Sequence, residues 1–304
     1  MAGSGGSYDP KRVRSEVREL QAKIDAAKYE ADVAHLLSTA LASANDRDAD
    51  VIKAHLARIK QAIEKEVEGF VDLLFGGSVA KHTYVDGVSD VDALVVLNDS
   101  ELSKMTPLQA RDYFIGRLRA SLPETTVEAD GFAVAVKYSD GVVVELVPVK
   151  RQGQTYLLPS EDSTTWSRTR PRSFTDALAA SNRAHNGKLI PTIKLAKVAL
   201  TDLPEQRRPG GYHLEALAVD AFANYPGEKT PRAMLTHFFT QAAQRVLKPI
   251  ADRTGQSKNV DDNLGPSGSV ERQLLADSMG RIARRLLNAD DARSVDQWKY
   301  LFAE

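Results

Sequence analysis

The chain reads as an α+β protein, with a central sheet carrying the chemistry and helices before and after it. Three observations predict this. Residues 11–43 and 51–75 repeat apolar residues at helical spacing. The middle of the chain holds Val-rich stretches that alternate or run apolar in the manner of strands: 91–97, 127–138 and 141–149. From Phe174 onward the pattern is again mostly helical. The expected division is a flexible start (1–10), a catalytic half that includes the long N-terminal helices (11–172), and a helical C-terminal lobe (173–304).

Taken in order, Met1 to Ser7 is Gly/Ser-rich and lacks the charged-then-apolar pattern of a signal peptide. Asp9-Pro10 starts a helix whose apolar residues include Val13, Val17, Leu20, Ile24, Tyr29 and Leu37, a face for packing. Asn45 to Asp50 is a polar break, and a second helix is expected from Val51 to Phe75. Thr106-Pro107-Leu108-Gln109 supplies an N-cap, a first-turn proline and a capping-box glutamine for a helix ending near Ser121. Val127–Tyr138 and Gly141–Val149 form a hairpin turning at Ser139-Asp140. A longer connection covers 150–173. Lys248 to Gly268 is a polar interruption between helices, and Trp298 on a short last helix belongs to the core.

The chemistry concentrates at Phe75-Gly76-Gly77-Ser78 and, after eleven intervening residues, Asp90-Val91-Asp92. The two acids open the apolar run Ala93 to Leu97, a buried strand, so their side chains point to one face. Converging carboxylates repel unless a cation or a proton sits between them. A Gly-Ser turn beside them sets backbone N–H groups against a phosphate. A third acid, Glu145, stands in the strand Gly141 to Pro148 and faces away from Val144 and Leu146. An acid amid such a strand needs a partner, either a basic residue or a metal. Together these residues suit a metal-bound nucleoside triphosphate.

Composition narrows the partners. Forty basic residues against 41 acidic give no global basic excess, which disfavours an obligatory duplex nucleic-acid partner. Lys150, Arg151, Arg168, Arg170 and Arg172 form a local basic cluster after the third acid. The chain has no cysteine, which rules out thiolate metal sites and suits a reducing cytoplasm. No apolar run approaches the length of a membrane span, so no membrane partner is expected.

The run GGSVAKHTYVDGVSDVD resembles the signature of polymerase-beta-like nucleotidyltransferases. Further segments resemble the cGAS/DncV-like nucleotidyltransferases of bacterial CBASS antiphage defence. They are Glu145-Leu146-Val147-Pro148, Trp166 to Pro171, the Lys-containing helix Leu189–Leu200, Gly211 to Leu217, and Asp252 with Asn259-Val260. The resemblance spans about residues 60–302. It implies a bilobed protein with the active site in the cleft between a nucleotidyltransferase core and the helical lobe. The implied activity joins NTPs, ATP among them, into a cyclic di- or trinucleotide, with pyrophosphate leaving.

The resemblance also implies roles. Two magnesium ions, for which manganese can substitute, sit on Asp90, Asp92 and Glu145. Gly77 and Ser78 hold the β- and γ-phosphates. Lys194 and Lys197 share a helix face, and Lys197 better matches the family's phosphate-contacting lysine. Tyr212 matches an aromatic that stacks on a base. Regulatory or effector proteins are implied partners. The sequence departs from the family at His82, where Gly is frequent, at Glu145, where Asp is frequent, at Gly211, where Ser is frequent, and at Arg253, where Pro is usual. The competing expectations are a template-independent transferase acting on RNA or on another hydroxyl, and a non-catalytic binding module.

Overall fold

The structure is a computed structural model. It describes residues 10–45, 49–64, 71–75, 77–85, 89, 91–97, 101–152, 155–160, 164–168, 171–204, 207–255 and 257–302. Asp90, Gly76, Arg170 and the expected flexible start at 1–9 lie outside the described residues.

Two helices lead, α1 (Pro10–Asn45) and α2 (Ala49–Glu64). The second helix was expected to run on to Phe75. Instead Val71–Phe75 is a strand, β1, pairing antiparallel with β2 (Val91–Leu97). A short apolar run carries no period that separates strand from helix, and here the ladder with β2 decides. After α3 (Gly77–Ala80) and β2 comes α4 (Pro107–Ser121). Its capping box forms as expected: Thr106 Oγ1 accepts from Gln109 N, and Gln109 Oε1 accepts from Thr106 N.

The expected hairpin gains a strand. Val127–Tyr138 is broken at Gly131, whose φ of 53° turns the chain between β3 (Thr126–Asp130) and β4 (Ala133–Lys137). The second strand, β5 (Val143–Gln152), runs past its expected end. It then pairs with β6 (Thr155–Pro159), which pairs with β7 (Trp166–Arg168), so the expected connection is partly sheet. The main path is β1-β2-β5-β4-β3, with β2 and β5 parallel.

One face of the sheet buries Val91, Ala93, Val95, Val144 and Leu146 against α2 and α4, including Ile59, Ile63, Phe114 and Leu118. The alternation of side chains sends Asp92, Leu94 and Val96 of β2, and Glu145, Val147 and Val149 of β5, to the opposite face. That face therefore carries the site at one end and a small apolar cluster at the other.

The remaining helices are α5 (Pro171–Ala184), α6 (Leu189–Ala199), α7 (Gly211–Ala221), α8 (Pro231–Arg245), α9 (Val270–Asp291) and α10 (Val295–Phe302). They share one core around Leu217, Phe238, Phe239, Leu286 and Trp298. Tyr29, Val33, Leu37 and Ala40 of α1 lie in this same core. Trp298 Nε1 donates to Tyr29 Oη (2.9 Å), which donates to Asp290 Oδ1 (2.8 Å). Thus α1, grouped by its position in the chain with the sheet, packs with the helices, because its apolar face meets α6, α8 and α10. The packing stripe expected along all of α1 begins only at Tyr29; Val13, Val17, Leu20 and Ile24 are exposed.

The polar interruption between α8 and α9 is tied down by Arg272, which is fully buried. Its guanidinium donates to Asp261 Oδ2 (2.6 Å) and to the carbonyls of Val246 (3.0 Å), Gly265 (2.9 Å) and Asp261 (3.1 Å). Among the described residues no helix is long and apolar enough to cross a membrane.

Candidate active site

The Gly-Ser turn sits against β2 because of what glycine lacks. Gly77 has φ 45°, and a Cβ there would lie 1.7 Å from Asp92 Oδ2. Only a hydrogen fits between turn and acid. This approach lets Ser78 N donate to Asp92 Oδ2 at 3.1 Å. The turn closes through Thr83 N donating to Ser78 O (2.9 Å) and His82 N to Val79 O (3.2 Å). His82 has φ 60°, the left-handed region where glycine is at ease, which accounts for the Gly frequent there in the resembled family. Ser78 Oγ is buried with no hydrogen-bond partner, and Ser78 is among the residues that line the cavity.

Replacing Gly77 by Ala is expected to push Asp92 out of place and cut turnover about 10²-fold or more, the scale of a misplacement of an ångström. Steady-state rates beside a thermal melt check this. A folded variant with normal turnover would show that the close approach is dispensable.

Asp92 and Glu145 are direct neighbours in the parallel β2–β5 ladder. Neighbouring strands lie roughly 4.8 Å apart, so the two carboxylates leave the same face side by side. Burial pushes the Asp92 carboxyl above the usual range, although Ser78 N–H and Lys81 oppose the shift. Such a pair calls for a cation. Among the described residues no cluster of three potential metal ligands forms, and Asp90, two positions before Asp92, is outside them.

Both acids open into a cavity of about 430 Å³ that Gly77, Ser78, Lys197 and Tyr212 also line. Lys197 is buried, donates from Nζ to Thr83 O (2.8 Å) and Ser89 Oγ (3.4 Å), and lies 4.0 Å from Glu215 Oε1. Burial holds its ammonium below the usual lysine range against the pull of Glu215. Lys194 goes elsewhere: its Nζ bonds Asn45 Oδ1, beside a separate hollow lined by Val79, His82 and Tyr84. Shared helix face did not mean shared cavity, since α1 draws Lys194 aside. Tyr212 donates to Asp252 Oδ1 (2.6 Å) and meets Phe174 edge-on, ring centroids 4.6 Å apart. Asp252 is itself fixed by Thr254 N (2.8 Å) and Ser257 N (3.0 Å).

Two residues that sequence reasoning passed over stand at the centre. Glu215 is fully buried on α7, paired with Lys81 and accepting from Thr83 Oγ1. Lys81 also lies 5.3 Å from the Tyr212 ring centroid and 5.4 Å from that of Phe174. The signal was an acid within the otherwise apolar run Leu214–Val219, and a lysine three positions past Ser78. Of the basic residues noted after Glu145, Lys150 and Arg168 do not line the cavity: Lys150 covers the Trp166 ring at 4.7 Å, and Arg168 donates to Gln152. The cations lining the cavity among the described residues are Lys81, Lys197 and Arg208.

A serine turn hung on a strand acid, a second acid in parallel register, and a buried and a half-buried lysine lining the same cavity are the arrangement expected of a polymerase-beta-like nucleotidyltransferase. Residues 29–182 match the family model SMODS, the Second Messenger Oligonucleotide or Dinucleotide Synthetase domain, and the chain belongs to this family of cGAS/DncV-like nucleotidyltransferases. No curated protein matches the chain. Among solved structures it is similar to CdnC of E. coli MS115-1 with ATP, at 18% identity and TM-score 0.60, covering 84% of this chain and 92% of that one. It is also similar to E. coli DncV in its 3'-deoxy GTP bound form, at 13% identity and TM-score 0.64, covering 95% and 91%. Vibrio cholerae DncV with a linear intermediate, 5' pppA(3',5')pG, gives 12% identity and TM-score 0.60, covering 98% and 91%. At these identities the likeness is one of fold.

Proposed function

We propose that the chain condenses NTPs, ATP among them, into a cyclic di- or trinucleotide that serves as a second messenger in antiphage defence. The observation that carries this is the contact of Ser78 with Asp92, in register with Glu145, in the lining of a cavity of nucleotide size. Family membership supports the synthase reading. Glu145 takes the place of the shorter Asp and reaches one methylene further, which suits a ligand standing on the strand beside Asp92.

The donor set fits divalent metal: hard carboxylate oxygens side by side on one face of the sheet, with burial pushing the Asp92 carboxyl upward. Asp90, Asp92 and Glu145 would hold two magnesium ions, or manganese, which lower the pKa of the attacking ribose hydroxyl and neutralise triphosphate charge. The turn does the rest of the phosphate work. The orphaned Ser78 Oγ and the Gly77 N–H bind the β- and γ-phosphates, so Ser78 Oγ gains on substrate binding the partner it lacks. Lys197, anchored on Thr83 O, offers charge to the triphosphate, and the Tyr212 ring, held by Asp252, stacks the base. Lys194 takes no part. CdnC of E. coli MS115-1 has been solved in complex with a HORMA protein, and regulators of this kind are proposed partners here.

Incubation with all four NTPs and magnesium, phosphatase treatment and mass spectrometry test the proposal. A phosphatase-resistant product is expected, and none when the metal is chelated. Pyrophosphate release only on adding RNA or another hydroxyl acceptor would replace the synthase by a transferase.

A further inference from the structure

The first half of α1 stands away from the body. Residues 11–25 are exposed throughout, and burial begins at Tyr29. A helix of that length without tertiary support is marginal in water. Its apolar residues keep strict order all the same. Val13, Val17, Leu20 and Ile24, exposed by 39%, 60%, 60% and 53%, are spaced four, three and four apart. That is the a/d seam of a heptad repeat, with Val17 and Ile24 at a, and Val13 and Leu20 at d.

We propose that this stripe pairs antiparallel with the same stripe of a second copy of the chain. The stripe is its own complement. A two-fold axis between residues 18 and 19 sets Val13 against Ile24 and Val17 against Leu20 of the other copy. Each a residue then faces a d residue, and all four are covered. The flanking charges fit the same arrangement. Antiparallel helices bring g positions together, and these are Glu16 and Lys23, opposite in sign and met twice. The e positions, Arg14 and Gln21, meet without like charge. Parallel pairing would set Lys23 against Lys28 of the other copy, two like charges at g and e. Glu16 is engaged by Arg12 one turn back at 2.9 Å, with both side chains exposed, and such pairs are weak enough to exchange. The overlap, about 18 Å at 1.5 Å per residue, makes the dimer reversible.

Sedimentation equilibrium of the full chain tests this. A dimer fraction rising with concentration is expected, and Leu20→Glu should weaken it at least about 10-fold. Glu16→Lys alone and Lys23→Glu alone should each weaken it, because each creates like pairs on both flanks; the two together should restore it. These positions are exposed, so at concentrations where the parent is monomeric the melting midpoint and NTP binding of each variant should match the parent. A parent that stays monomeric up to about millimolar concentration overturns the proposal, including the case in which another protein's helix takes the stripe. A dimer indifferent to Leu20→Glu or to the single charge reversals overturns it as well.

Discussion

Asp92→Asn is expected to lower turnover by about 10³-fold or more while the protein stays folded. The amide keeps the shape of the side chain, and its oxygen can still accept from Ser78 N, so the turn holds its place. What goes is the negative charge. In the structure that charge is costly, since burial pushes the Asp92 carboxyl upward. Removing it leaves the metal-free fold at least as stable, whereas under the proposed function metal and triphosphate would lose a carboxylate that holds them. Thermal melts with and without magnesium and NTP separate the two effects. The parent should melt higher in their presence and the variant should not. Retained turnover in the variant would remove Asp92 from the chemistry.

Arg272→Ala is expected to cost about 3–5 kcal/mol of stability. The guanidinium is the counter-charge of Asp261, itself fully buried and bonded to Ile250 N at 3.0 Å. Its loss strands an acid without a counter-charge in the core and unpairs the carbonyls of Val246 and Gly265. The segment it secures also carries Asp252, the acceptor for Tyr212, so the wall of the cavity should loosen with it. Chemical denaturation of parent and variant gives the difference. A loss below about 1 kcal/mol would mean that the segment is held by other contacts.

Gly77, Ser78, Asp92 and Glu145 were legible in the sequence because their pattern is local: a turn residue, acids in a strand, and alternation that sets their face. The capping box at Thr106 was legible for the same reason. The strand β1 was not, because Val71–Phe75 is compatible with the helical rhythm before it and its partner lies beyond the turn. The turn between β3 and β4 was signalled by the Asp130-Gly131 dipeptide, and the alternation on either side of it masked that signal by reading as one continuous strand. The Lys81–Glu215 pair joins a turn in the sheet half to α7, and no local pattern announces a meeting so distant in the chain. Lys194 and Lys197 share one helix, and their separate fates depend on Asn45 and Thr83, contacts supplied by other elements. An exposed heptad stripe and a buried one are spelled alike, which is why Val13 to Ile24 read as core.

The clasp between Tyr29 and Trp298 has a bearing on how the molecule is made. A ribosome releases α1 well before the elements that cover Val33 and Leu37, which belong to α6, α8 and α10. The segment therefore waits, apolar face uncovered, until α10 has emerged. The sheet half can close on α2 and α4 meanwhile, since its own core needs nothing from later in the sequence than the strands themselves. Asp92 and Glu145 would then be aligned on β2 and β5 before Lys197 and Tyr212 arrive to line the cavity with them. A nascent chain stalled after β5 would carry the paired acids without the helices that complete the cavity.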